Sequence, residues 1–122
     1  MPIAFSKRDP FPPVPGLSIA AAAAAMGVPA ASLAAPDRGR AGIARARQYA
    51  VYLHHVALGA SLSACARQFR RDRATVRHAC AVIENLRDEP LFDLAAARME
   101  RAVAAQRDMV LALLANGEGT AQ

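Results

Sequence analysis

An all-α fold is what this sequence predicts, and three features predict it. Strand formers are sparse, and apolar residues recur at intervals of three and four instead of alternating with polar ones. Alanine, the best helix former, supplies much of the apolar content, with no tryptophan and only 4 phenylalanines and 2 tyrosines beside it. The periodic segments are separated by glycine or proline at Gly27, Pro29, Pro36, Gly59 and Pro90. A length of 122 residues suits one small domain with a modest core.

The elements follow in order. Asp9–Gly16 reads DPFPPVPG, whose prolines predict an extended arm over residues 1–16. Ser18 is placed to cap a helix through the alanine run Ala20–Ala25, which Gly27 ends. Lys7 and Arg8 ahead of that run imitate a secretion signal, but four prolines intervene and Gly27 and Pro29 cut it short. No stretch approaches the roughly 20 apolar residues of a spanning helix, so a cytoplasmic, nucleoid-associated protein is expected. Pro29–Pro36 adds a short turn, and Asp37–Gly42 is a basic loop whose Arg38 and Arg40 suit non-specific phosphate contacts.

From Ile43 to Leu58 the residues Ile43, Ala46, Ala50, Leu53 and Ala57 form a helical core stripe. Arg45, Arg47, His54 and His55 fall off it; the adjacent histidines make no metal site by themselves and read as solvated. After the stop at Gly59, Ser61 caps a shorter helix that turns Leu62, Cys65, Ala66 and Phe69 inward. Past the turn Arg70-Arg71-Asp72, Asp72 caps a helix over Arg73–Arg87, where its charge also favours the positive helix end. Val76, Ala79, Cys80, Ile83 and Leu86 then face the core, and Arg73, Ala74, Arg77, His78 and Ala81 share the opposite face. Pro90 opens a last helix, Leu91–Ala115, with Leu91, Ala95, Met99, Ala102, Val103, Met109, Val110, Leu113 and Leu114 on one broad stripe. As one straight rod it would span roughly 37 Å, longer than so small a core needs.

Charge is unevenly placed. Between Arg38 and Arg87 stand ten arginines against two acids, Asp72 and Glu84, whereas residues 88–122 set three arginines against six acids. Arginine's planar fork suits phosphates and base edges, and so concentrated a basic segment is the electrostatic footprint of a nucleic-acid binder; a solvated cationic face is the blander alternative. A short helix, a tight basic turn and a second helix with a basic outer face form the helix-turn-helix layout, in which the second helix enters the major groove by its N-terminal end. Arg73 and Arg77 sit there one turn apart. Cys65 and Cys80 make neither a metal pattern nor a disulfide framework and read as reduced core residues. No nucleophile–base pair, carboxylate pair or metal cluster is evident, so no enzyme, cofactor or metal is expected.

Three ordered blocks carry a family resemblance. RDRATVRHAC, Arg71–Cys80, resembles the signature of the C-terminal DNA-binding domain of the bacterial replication initiator DnaA, approximately Arg-Asp-His-Thr-Thr-Val, any residue, His-Ala-Cys. ARARQYA, Ala44–Ala50, is similar to its Ala-Arg-Pro-Arg-Gln segment, and IENLR, Ile83–Arg87, to its Ile-Glu-Gln-Leu-Arg. The similarity covers about Ser18–Gln106, while the Gly-Lys-Ser/Thr loop of a nucleotide-binding module does not occur. The resemblance implies a small helical domain with a helix-turn-helix over residues 17–106 and a long C-terminal helix, extended by a tail over 107–122. It also implies that Arg71–Cys80 reads the major groove and Arg45 the adjacent minor groove, with Asp72 and Arg73 at base-contacting positions. Thr75 matches a backbone-contacting threonine and His78 a retained histidine. Two departures shift the readout: Arg73 replaces a histidine, and Ala74 replaces a threonine that meets a base methyl. At His55 the family carries a lysine.

The DNA-binding set expected is therefore Arg45, Arg47, Arg70, Arg71, Asp72, Arg73, Ala74, Thr75, Arg77 and His78. Double-stranded DNA is the expected partner, and regulation of replication initiation or transcription without ATPase activity the expected role. The alternative is an interaction module whose partner, through the C-terminal helix, is a replication-initiation protein or a second copy of itself.

Overall fold

The computed structural model describes residues 15–34 and 41–120, and within them every element is helical. The helices are α1 (Pro15–Met26), α2 (Ala30–Ala34), α3 (Ala41–Val56), α4 (Leu62–Phe69), α5 (Arg73–Leu86) and α6 (Pro90–Thr120). Residues 1–14 of the expected arm, and Arg38 and Arg40, lie outside the described residues.

Pro15 opens α1, at the position where a missing N–H costs nothing, so Pro15 and Gly16 belong to the helix and not to the arm. That earlier start changes the part of Ser18. Instead of capping, Ser18 lies inside the first turn, fully buried, with its Oγ 3.2 Å from His54 Nδ1. Gly27, at a φ of 68°, adopts the left-handed conformation and ends the helix as expected.

The second helical run, α3, is the centre of the molecule and packs against α1, α2, α4, α5 and α6. It starts two residues before the expected Ile43 and takes Gly42 from the basic loop. Ala46, Ala50 and Leu53 are fully buried as expected, but Tyr49, Val51, Tyr52 and His54 are buried as well. A helix surrounded by neighbours has no solvated face along its middle, and for that reason the reading of Arg47 and His54 as off-stripe residues is overturned. His54 is 1% exposed and meets the Phe69 ring edge-on at a centroid distance of 5.6 Å.

Gly59, at a φ of 73°, turns the chain into α4, and Ser61 caps that helix by accepting from the Ala64 amide at 3.0 Å. Cys65 and Phe69 reach the core, with Leu62 and Ala66 packed beside them. On α5, Val76, Ala79 and Ile83 are buried and Cys80 and Leu86 pack against the core. Both cysteines are free thiols, and burial pushes that of Cys80 up from its ordinary value.

Pro90 begins α6, a single helix of 31 residues. Its core face is Phe92, Ala96, Met99 and Val103, so the broad stripe read from the sequence merges two faces. Ala95 and Ala102 are exposed and Leu91 is 75% exposed, because they lie about a third of a turn from Ala96 and Val103. The helix is fastened by Arg87, whose Nη1 donates to Tyr52 Oη at 2.9 Å and to Glu100 Oε1, while its Nε donates to Asp93 Oδ1 at 2.6 Å. The bonds to Asp93 and Tyr52 raise the Arg87 pKa further. Beyond Arg107, which reaches back to the Ala57 carbonyl at 3.4 Å, Met109, Leu113 and Leu114 are exposed.

No helix among the described residues is long and apolar enough to cross a membrane, and none of their His, Cys, Asp and Glu side chains group as a metal site would require.

Candidate nucleic-acid interface

Two helices and a three-residue turn build the candidate surface. The turn is tight because α4 ends by bending its chain left-handed at Arg70, at φ 54° and ψ 48°. Arg70 is the one non-glycine residue with a positive φ among those described, a conformation usually left to glycine or asparagine. The bend lets the Arg70 and Arg71 amides return to the Arg67 and Ala66 carbonyls at 3.4 and 3.0 Å, which closes the helix end. Arg71 folds over its own turn, its Nη1 donating to the carbonyls of Arg70 at 3.1 Å and Phe69 at 3.4 Å.

Asp72 then starts α5. Its extended backbone and a 2.7 Å bond from the Thr75 amide to Oδ1 make it the N-cap, and that bond holds its carboxyl below the ordinary value. With Val76, Ala79 and Ile83 buried, the 3.6-residue period turns Arg73, Ala74, Thr75, Arg77 and His78 outward, and all five are exposed. Asp72 and Arg70 are exposed beside them, and Arg71 is half-buried.

Arg45 and Arg47 come from α3 and part company. Arg45 is exposed. Arg47, 8% exposed, turns inward and donates from Nε to the Leu33 carbonyl and from Nη2 to the Ser32 carbonyl, both at 3.2 Å. It is a strut joining α3 to α2, and as a surface cation it is corrected. The sign was available, for Arg47 follows Ile43 by four residues and precedes Ala50 by three.

Between α3 and α5 opens a cleft of about 370 Å³ with an apolar floor of Ala44, Val51, Val76 and Ala79. Arg71, Thr75 and His78 stand on the α5 side of it, and Arg47 and Gln48 on the α3 side. Sequence reading singled out neither Ala44 nor Gln48 for this surface; nothing short of the α3–α5 packing brings them there. His55 donates from Nδ1 to the Ala60 carbonyl at 2.7 Å, which ties it to the loop before α4.

The assembled surface therefore carries exposed Arg45 on α3 and exposed Arg70, Arg73 and Arg77 on the turn and α5, with half-buried Arg71 lining the cleft between the two helices. It is a basic, solvent-facing surface in which Arg73 and Arg77 stand one turn apart on α5. The family described as bacterial DnaA protein helix-turn-helix matches residues 19–83, which is more than half of the chain. No curated protein and no solved structure matches.

Proposed function

Because the chain belongs to the bacterial DnaA protein helix-turn-helix family, a family of DNA-binding domains, we propose that it is a sequence-preferring reader of double-stranded DNA that regulates replication initiation or transcription. The observation that carries this reading is the Asp72-capped helix with Arg73, Ala74, Thr75, Arg77 and His78 all turned to solvent. In this reading Arg73 and Arg77 engage base edges in the major groove, and Ala74 touches a thymine methyl. Arg45 enters the neighbouring minor groove, while Arg70, Arg71 and Thr75 hold the phosphates. Asp72 caps the helix and is near enough to its outer face to meet a base. Arg47 acts from beneath, keeping α3 and therefore Arg45 in place. The DNA-reading unit spans residues 17–106, it has no ATPase of its own, and it works on the nucleoid.

Selection of preferred duplexes from a random pool tests this, repeated with Arg77→Ala and Arg45→Ala. An enriched sequence that each substitution weakens supports the reading. Equal binding to every duplex, unaffected by either change, overturns it. A second reading, in which the fold chiefly docks a replication protein, draws support from the altered Arg73–Ala74 pair and from the exposed end of α6. A chromatin-binding profile set against that of the initiator separates the two.

A further inference from the structure

Five of the six large apolar side chains most exposed among the described residues lie on α6: Leu91 at 75%, Leu94 at 48%, Met109 at 66%, Leu113 at 64% and Leu114 at 54%. Two of them, Leu91 and Met109, lie on one continuous line of exposed residues. Leu91, Ala95, Arg98, Ala102, Ala105, Met109 and Ala112 follow one another at spacings of four and three, and every one is exposed. That is the heptad spacing of a helix–helix seam, carried by a helix whose core face is already used by its own domain. The seam extends through about three heptads, and six of its seven residues are apolar.

We propose that this face takes the same face of a second copy, with the two α6 helices antiparallel and Ala102 of one copy beside Ala105 of the other. Charge selects the direction. Parallel pairing sets the Arg98 guanidinium of one copy against that of the other in the seam. Antiparallel pairing sets Arg98 against Met109, so the arginine stem lies along a thioether and its head reaches water. The same register brings Arg101 of each copy beside Asp108 of the other, twice by symmetry. Asp108 already accepts from Arg107 at 3.0 Å and is still 67% exposed, so its carboxylate has room for a second cation. The small residues Ala95, Ala102, Ala105 and Ala112 let the backbones approach closely, and Leu113 of one copy then covers the flank of the other near Phe92. The inference stands apart from the DNA reading, since none of its residues belongs to α4, the turn or α5.

The test uses the full chain. Its mass in sedimentation should double between micromolar and sub-millimolar concentration, and Ala102→Glu, an exposed position on a helix that favours glutamate, should abolish the doubling without loss of helix signal. Arg101→Asp and Asp108→Arg should each weaken the pair, and the double exchange should restore it. Direction is read by maleimide cross-linking in a Cys80→Ser background, Cys65 being buried. Ala95→Cys mixed with Ala112→Cys should link, and Ala95→Cys alone should not. A monomer at all concentrations, a dimer indifferent to Ala102→Glu, or self-linking at position 95 each overturns the proposal.

Discussion

Replacing Arg70 with glycine should improve the fold and impair the function, which separates two roles that most substitutions confound. In the turn Arg70 adopts a left-handed φ of 54°. For a residue with a side chain that conformation costs roughly 1–2 kcal/mol, of which glycine's greater freedom in the unfolded chain returns about half. The side chain is exposed, and the turn's hydrogen bonds run through the backbone carbonyl and amide, which glycine keeps. A net gain of about 0.5–1 kcal/mol follows, which raises the melting temperature by about 2–5 °C. On the duplex, one phosphate contact is lost. The slope of log affinity against log salt should flatten by about 0.9, and affinity at moderate salt should fall about threefold to tenfold. Arg70→Ala provides the control, losing the cation while retaining the strained backbone. Thermal unfolding and fluorescence anisotropy at several salt concentrations read both effects. A destabilised Arg70→Gly, or one whose salt slope equals that of the parent, would refute the reasoning.

Duplex binding by the unaltered chain should show a salt slope near −4 to −5, as about five neutralised phosphates require, and Arg77→Ala should cost roughly 1–3 kcal/mol where a base edge is engaged. The paired change Arg73→His with Ala74→Thr should raise preference for the initiator's usual box over scrambled duplex; competition binding that shows no change would contradict the assigned readout. Arg87→Met should destabilise the domain by about 2 kcal/mol in denaturant titration, since it removes three bonds at one junction and leaves Tyr52 and Glu100 only the 3.3 Å bond between them. Asp72 contributes with a definite pH sign: its carboxyl is held below the ordinary value, so its stabilisation is present at neutral pH and is lost as pH falls through that lowered value. Asp72→Asn keeps a capping oxygen and should remove that acid-dependent part, which unfolding followed between pH 7 and about pH 3 would reveal.

The parts legible in the sequence were those governed by local chemistry. Ser61 and Asp72 cap the helices they precede, Gly27 and Gly59 end the helices they follow, and the 3.6-residue period of α5 separates its buried and exposed faces correctly. What resisted reading was set by neighbours. Ser18 and His54 are polar residues that meet each other across 36 positions, and neither alone announces a buried pair. Arg47 looks like one more cation of a basic segment until the Ser32 and Leu33 carbonyls of α2 are placed beside it. In α6 two faces were read as one stripe, because alanine fits a core and a surface equally well and only packing decides which.

With the middle of α3 packed among five other helices and Tyr49–His54 buried without a break, the amide protons of that stretch are the best shielded in the chain. They should exchange only when the whole domain opens, so their exchange free energy reports the global stability. In the monomer, the end of α6 past Arg107 is largely exposed and should exchange orders of magnitude faster by fraying, with α4 and α5 between these limits, since α5 rests on α3. The reading surface is thus mounted on the slowest-opening part of the molecule. The adaptable segment is the far end of α6, and a gradient of exchange rates along the chain would map that division directly.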